Sequence, residues 1–340
     1  MQAVILVGGM GTRLRPLTYQ TPKQMLPLVG IPLIEVALGN LARYGVTDAV
    51  LSLGYLPDRF TEAYPDGVIS GIRVSYAVES EPLDTAGAIR FAARTAGVDD
   101  TFVVVNGDVL TDLDVGALIA FHRTRGASAT IALHPVEDPS RFGVVSTDPT
   151  GRVRAFVEKP PRDQAPTNLI NAGTYVFEPS VLDSIAPDRR VSVERETFPA
   201  LVRTGELYAM ADGAYWLDTG TPATYLQANM DILAGRDHRA DLTLCAGSWV
   251  HETARVDGSA RLHRVVVDRE CVVGEDAVVE EAVLLPGAVI ESGAVVRHSI
   301  VGPGAVIGAF SHLGPTCVVG SHEHVAPGSE LSGDVRLGGV

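Results

Sequence analysis

Cysteine, long apolar runs and positive charge are all scarce in this 340-residue sequence, and acid is missing from its first 34 residues. The three cysteines, Cys245, Cys271 and Cys317, have no short paired spacing. That removes both a disulfide framework and a thiolate zinc site, and it fits a reducing, cytoplasmic setting. No stretch approaches the length of a membrane span. The apolar run from Ala3 to Val7 is too short for a secretory segment and passes directly into glycines, so a soluble, unexported protein with no membrane partner is expected. A net charge of −14 argues against a nucleic-acid surface, because affinity for phosphate backbones is built from clustered Lys and Arg. Residues 1–34 stand apart: they carry Arg13, Arg15 and Lys23 with no Asp or Glu, a mild positive island of the kind that gathers anions. With 46% hydrophobic and 20% charged residues, the chain can bury a full α/β core and still supply a second domain.

The run from Ala3 to Val7 reads as a fully buried strand, and further short apolar strands are expected at 49–53, 102–105, 129–133 and 172–177. Helical patterns lie between them at 33–44, 86–95 and 115–125. This alternation predicts an α/β domain with a Rossmann-like, mostly parallel sheet covered by helices on both faces. After a helical stretch from Ala223 to Ala234 and the polar run Gly235-Arg236-Asp237-His238-Arg239, helical periodicity stops. Every sixth residue from Val265 is then apolar, through Cys271, Ala277, Val283, Val289, Val295, Val301, Ile307, Leu313 and Val319 to Val325. Eleven consecutive positions in one register are the mark of a parallel β-helix, and the expected division is residues 1–240 and 245–335. Hexapeptide repeats of this kind resemble the left-handed β-helix family, in which three hexads make one triangular coil. The 66 residues of the repeat would form between three and four coils.

Gly8-Gly9-Met10-Gly11-Thr12-Arg13-Leu14-Arg15-Pro16-Leu17-Thr18, followed by Thr21-Pro22-Lys23, carries the chemistry of the N-terminal region. A glycine-rich turn leaving a buried strand lets backbone N–H groups converge on phosphate oxygens with no Cβ in the way, and cations add charge-assisted hydrogen bonds. The spacing is neither the dinucleotide fingerprint nor a Walker loop. Alone, it defines a polyphosphate site or a plain strand-to-helix turn.

This loop resembles the Gly-Gly-x-Gly-Thr-Arg-Leu and Pro-Lys signature of the sugar-1-phosphate nucleotidyltransferases. Further stretches similar to that family follow in its order: Glu81-Pro82-Leu83-Asp84-Thr85-Ala86-Gly87, Asn106-Gly107-Asp108, Phe142-Gly143-Val144-Val145, Glu158-Lys159-Pro160, Asn171-Ala172-Gly173 and Trp216-Leu217-Asp218-Thr219-Gly220-Thr221-Pro222. The hexapeptide tail resembles one branch of the family. The resemblance implies a nucleotide site at Gly8, Gly9, Gly11, Thr12, Glu81 and Gly87, with Arg13 and Lys23 on the triphosphate and the departing pyrophosphate. It implies that Lys159 meets the sugar phosphate, that Gly143, Glu158 and Asn171 meet the sugar, and that Asp108 and Asp218 hold Mg²⁺. Asp108 directly follows a strand, at the carboxyl end where open α/β sheets bind ligands, and an aspartate there could equally cap a turn. Mg²⁺ takes one or two protein carboxylates and completes its shell with water and phosphate oxygens.

A phosphate monoester loses its second proton near pH ~6, so a sugar 1-phosphate needs no general base. The expected reaction is in-line attack on the α-phosphorus, releasing pyrophosphate, with catalysis by positioning and charge neutralisation. Guanine presents adjacent N1–H and N2–H donors that suit a carboxylate, whereas thymine and uracil suit an amide. Members using thymidine triphosphate look like Gln-Pro where this chain has Glu81-Pro82, so the sequence looks like the guanylyl branch, which commonly takes mannose 1-phosphate. Thymidylyl or guanylyl transfer to another sugar or a cyclitol phosphate is the alternative. Two departures stand out: Asp84, where the family usually has glycine and which could alter substrate preference, and Gln24, at a frequent proline, where no consequence is expected. His298, His312, His322 and His324 raise a second activity, acyl transfer, in a tail that is short for it. A non-catalytic homologue would be expected to lose the cationic loop or a metal carboxylate, and both are retained. Solenoid edges are usually covered, so homo-oligomer contacts through residues 245–330 are expected.

Overall fold

A computed structural model describes residues 1–187, 189–236 and 242–339. Asp237-His238-Arg239 of the polar run and the expected boundary at 240 lie outside the described residues. The chain forms two compact units that do not follow chain order: Met1–Gly9 with Ile34–Trp216, and Met10–Leu33 with Leu217–Val340. Gly8 and Gly9 of the glycine loop thus belong to the first unit, and the rest of the loop, through Lys23, to the second.

The first unit is built on a sheet with a parallel centre, in the order Ile72–Val78, Asp48–Leu53, Gln2–Leu6 and Phe102–Asn106. A wing extends it: Leu169–Phe177 runs antiparallel to Phe102–Asn106, to Ala129–Pro135 and to Gly143–Thr147. Val153–Glu158 returns antiparallel on Gly143–Thr147, since residues 148–152 are too few for the crossover a parallel pair needs. The centre matches the expected parallel arrangement and adds an unexpected strand, Ile72–Val78, in which buried Ile72 and Val74 alternate with exposed Arg73 and Ser75. The wing holds the strands expected at 129–133 and 172–177 and adds others that mix charge with apolar residues, such as Val153–Glu158, where exposed Arg154 follows buried Val153. Val4, Val50 and Val104 share a core cluster with Ala86, Ile89 and Ala93 of the helix Asp84–Thr95. Ala3, Ile5, Leu51 and Val103 point to the other face and are equally buried. Burial on both faces explains the unbroken apolar runs, each side chain contributing ~1.5–3 kcal/mol.

In the second unit the helix Pro222–Leu233 begins with a Thr221–Thr224 capping box and proline in its first turn. Asn229 within it accepts from Val29 N–H at 2.9 Å, tying the helix to segment 10–33. Three parallel sheets then form the left-handed β-helix. Rungs at Trp249, Val266, Val283 and Ile300 are 17 residues apart, and those at Ile300, Val318 and Arg336 are 18 apart. Five coils result, more than the repeat alone implied, because they begin at Trp249 where the six-residue register does not yet run.

That register is also not one structural column. The early coils drop a residue at corners occupied by Arg264, Glu281 and His298, which adopt left-handed backbone with φ of 51°, 45° and 45°. The apolar column therefore lies in the interior at Val265, Cys271 and Ala277, leaves it at Val283, Val289 and Val295, and re-enters at Val301. One outer face is buried: Val266, Val283, Ile300 and Val318 are at most 1% exposed. At its ends this face meets segment 10–33, where Trp249 lies over Gly30 so closely that a Cβ there would sit 2.4 Å from the ring.

Candidate active site

In the first unit, Gly8 and Asp108 stand at the carboxyl ends of the adjacent parallel strands Gln2–Leu6 and Phe102–Asn106. Gly8 and Gly54 make a close backbone approach, a Cβ on Gly54 falling 3.2 Å from the Gly8 carbonyl oxygen. Gly9 is exposed beyond it. Gly107 donates its N–H to the Leu6 carbonyl at 3.0 Å, and a Cβ there would strike Val7 at 2.7 Å, so glycine at that position seats the half-buried Asp108.

The segment carrying Glu81 is pinned at both ends. Glu79 accepts from the Ser52 hydroxyl at 3.0 Å and from Leu83 N–H at 2.9 Å. Val191 N–H donates to the Leu83 carbonyl, and Ala86 and Gly87 both donate to the Val191 carbonyl. Thr85 donates to Glu194 at 2.8 Å and accepts from Val193 N–H. Glu81 projects exposed from this held loop. The N–H of Gly87 is engaged by Val191, and a Cβ on it would meet Leu83 at 2.9 Å and the Arg189 carbonyl at 3.0 Å. Glycine is demanded there by packing. Neither Glu79 nor Glu194 belongs to a motif, so the sequence offered no signal for them beyond an acid near the loop.

Gly143 and Glu158 face each other across paired strands, and the space above Gly143 is taken by the Phe156 ring and the Glu158 carboxylate. Lys159 Nζ lies 3.3 Å from Glu158 Oε1 with its own side chain mostly exposed. Asn171 donates to the Tyr175 hydroxyl at 2.9 Å and accepts from Gly173 N–H at 3.0 Å. Tyr175 is fully buried, and desolvation drives its phenol pKa upward; Asn106 hydrogen-bonds the same hydroxyl. One neutral hydroxyl thus holds Asn171 and the residue two before Asp108. Trp216 donates to the Ala172 carbonyl at 2.8 Å and packs between His134 and Phe142. Burial holds the His134 pKa below its ordinary value, keeping the ring neutral against the indole.

In the second unit, Gly11 has φ of 60° and starts the turn Thr12–Leu14, with Thr12 exposed. Thr18 donates to the Gly11 carbonyl at 2.8 Å, and a Cβ on Gly11 would lie 3.0 Å from Thr18 and 3.3 Å from the Lys23 stem. The loop is folded on itself, which brings Lys23 beside the glycine turn. Arg13 and Asp218, 205 residues apart, approach to 3.9 Å. Gly220 makes this possible: a Cβ there would sit 2.6 Å from Arg13 Nη2 and 2.7 Å from Asp218 Oδ1. Asp218 Oδ1 also accepts from Gly220 N–H at 2.8 Å. Of the solenoid histidines, His298 faces Glu281 at 2.7 Å and His312 faces Glu330 at 3.4 Å.

Among the described residues no three His, Cys, Asp or Glu side chains converge as a self-sufficient ion cage. Asp108 and Asp218 are hard oxygen donors of the kind a phosphate-borne divalent cation needs, and such an ion requires only one or two of them. Among those residues no helix is long and apolar enough to cross a membrane.

A glycine loop leaving a central parallel strand, acids at strand ends and a β-helix together define a nucleotide-sugar-forming class of transferase. Residues 2–235 match the nucleotidyl transferase family model and residues 245–336 the GMPPB C-terminal domain model; the chain belongs to the nucleotidyl transferase family, whose members generally use a divalent metal. It is 41% identical to a mannose-1-phosphate guanylyltransferase of Mycobacterium tuberculosis, over 81% of this chain and 77% of that one. It is 39% identical to a mannose-1-phosphate guanyltransferase of Gibberella zeae, over 77% and 73% of the two chains. A third relative of that name, from Hypocrea jecorina, is 40% identical over 74% and 70%.

Proposed function

We propose that this chain transfers a guanylyl group from GTP to mannose 1-phosphate, forming GDP-mannose and releasing pyrophosphate. The observation that carries the transfer reading is the approach of Arg13 to Asp218 across Gly220, which joins the glycine loop to the stretch Trp216–Pro222. Arg13 and Lys23 bind the β- and γ-phosphates and stabilise charge on the departing pyrophosphate. Asp108 and Asp218 would hold Mg²⁺, which supplies neutralising charge to phosphate oxygens. Gly8, Gly9, Gly11 and Thr12 shape the phosphate side of the site, and Glu81 accepts the two N–H donors of guanine from a segment fixed by Glu79 and Val191. Gly87 acts through that packing. Lys159 meets the sugar phosphate, while Glu158 and Asn171 face sugar hydroxyls, with Gly143 leaving room for Glu158. The sugar phosphate dianion attacks without a general base, so these residues align two anions.

We place residues 1–240 as the catalytic domain and 245–335 as the β-helix through which copies assemble. The setting is a reducing cytoplasm, where Cys271 stays an inert thiol, pushed by burial up to about 12.

The test is a pyrophosphate-release screen crossing ATP, CTP, GTP, UTP and dTTP with a panel of sugar 1-phosphates in Mg²⁺. GTP with mannose 1-phosphate should give the highest kcat/KM, and Glu81→Gln should lower the GTP value by about 10²-fold or more, since unpaired donors then face an amide. A wild-type preference for dTTP would sink the role of Glu81. No turnover with any pair would sink the enzyme reading.

A further inference from the structure

We infer that the last rung of the β-helix positions the phosphate-binding loop, with Arg336 as a positioning residue for nucleotidyl transfer. Arg336 Nη1 donates to the Arg13 carbonyl at 2.8 Å and to the Arg15 carbonyl at 3.4 Å, across more than 320 residues of chain. These are the carbonyls of the turn that carries the Arg13 side chain toward Asp218. Beside it, Pro16 is seated against two solenoid glycines: a Cβ on Gly338 would lie 2.8 Å from Pro16, and one on Gly320 3.1 Å from it. Both glycines therefore serve the loop. Gly320 also belongs to the coil wall, donating its N–H to the Leu337 carbonyl at 2.7 Å. The contact is thus with two successive rungs, and the loop from Met10 onward belongs to the same compact unit as the solenoid.

The electrostatics argue for purpose beyond packing. Arg336 brings a third guanidinium to the main chain of Arg13 and Arg15, and a cation added to a turn that already carries two repels them unless something holds it. Here Arg336 is held through main-chain carbonyls, with Asp334 at 3.3 Å. The arrangement fixes the turn while leaving the Arg13 side chain on Asp218, and it raises the positive potential where the reaction places a triphosphate. An alternative anchor of the same geometry, a neutral amide, would hold the carbonyls and add no field.

The catalytic half of this inference rests on the proposed nucleotidyl transfer; the structural half does not, and the experiment separates them. Arg336→Met keeps the stem and removes the donors, Arg336→Lys restores a cation, and Arg255→Met is the control on another, exposed face of the solenoid. Amide hydrogen exchange is followed at Leu14, Arg15 and Leu17, whose N–H groups bond within the loop. Exchange there should quicken about tenfold or more in Arg336→Met and stay at the wild-type rate in the control, a factor on the scale of one charge-assisted hydrogen bond. In turnover assays Arg336→Met should lose about tenfold in kcat/KM for the nucleotide with KM for the sugar phosphate unchanged. Arg336→Lys should recover part of the loss, and so should millimolar guanidinium added to Arg336→Met. Unchanged exchange in Arg336→Met would overturn the brace. Faster exchange with unchanged kcat/KM would overturn the positioning role, and so would an equal loss in all three variants accompanied by a common fall in thermal midpoint. A wild-type protein that turns over no substrate pair would instead fail the function reading, leaving the exchange result to decide the brace.

Discussion

Gly220 is the smallest residue on which the proposed chemistry depends. Its missing Cβ is the space through which Arg13 reaches Asp218. In Gly220→Ala the new methyl would meet the far end of the Arg13 side chain, which can swing away, so the protein should keep its melting temperature while kcat/KM falls by about 10- to 100-fold. Full activity in this variant would detach the Arg13–Asp218 approach from the reaction. Asp84 shows the reverse case. Its φ of 60° is the left-handed conformation that a glycine adopts freely, so the family's glycine at this place has a backbone reason. The Asp84 carboxylate accepts from Thr85 N–H at 2.8 Å, a local bond that lets aspartate tolerate the strain. Gln24, where no consequence was expected, is buried with Oε1 lacking a hydrogen-bond partner among the described residues, which costs ~1–3 kcal/mol.

The helices and strands follow from local pattern, whereas the solenoid coils depend on their corners. Arg264, Glu281 and His298 stack in successive coils, with Arg264 Nη1 2.5 Å from Glu281 Oε1 and His298 Nε2 2.7 Å from Glu281 Oε2. These polar ladders occupy the strained corner that shortens each early coil to 17 residues. Asp268, just after the rung at Val266–Val267, is the costly member: it is buried, Oδ2 has no partner among the described residues, and desolvation raises its pKa from 3.8. A carboxyl raised in the folded state contributes most stability when protonated, fully below 3.8, and loses that contribution as pH climbs through the raised value. Asp268→Asn should therefore unfold at a higher urea concentration than the wild type at pH 7, and the two midpoints should draw together near pH 4. An equal gap at both pH values would show that charge burial is not the cause.

At the scale of the whole molecule, the β-helix keeps one outer face buried and leaves others open, with Phe310 69% exposed. Light scattering at micromolar protein should give a mass at least twice the 35.9 kDa of one chain; a monomer would refute assembly through this domain. The fold class, the strands Gln2–Leu6, Asp48–Leu53 and Phe102–Asn106 with the main helices between them, and the presence of a solenoid were readable from residues alone, because apolar periodicity records which faces must be buried; the edge strand Ile72–Val78, which alternates buried and exposed residues, was not. The candidate residues Gly8 to Lys23, Asp108, Lys159 and Asp218 could be singled out through the family resemblance, since each sits in a short pattern local in sequence. Of the antiparallel wing, the strands Ala129–Pro135 and Leu169–Phe177 were readable but their antiparallel pairing was not, and strands such as Val153–Glu158 were missed because they mix charge with apolar residues. Coil number and register were not readable either, because a one-residue corner deletion leaves the apolar column intact while moving it from the interior to the outer side of the coil. Glu79, Tyr175, Gly220 and Arg336 acquire their partners only on folding, across separations from a few residues to more than 320. The sequence by itself determined the continuous apolar strands, the main helices and the glycine-rich loop. Only the tertiary structure decided that most of this loop folds with the solenoid, because that depends on hydrogen bonds and close glycine contacts between distant residues, which no local pattern encodes.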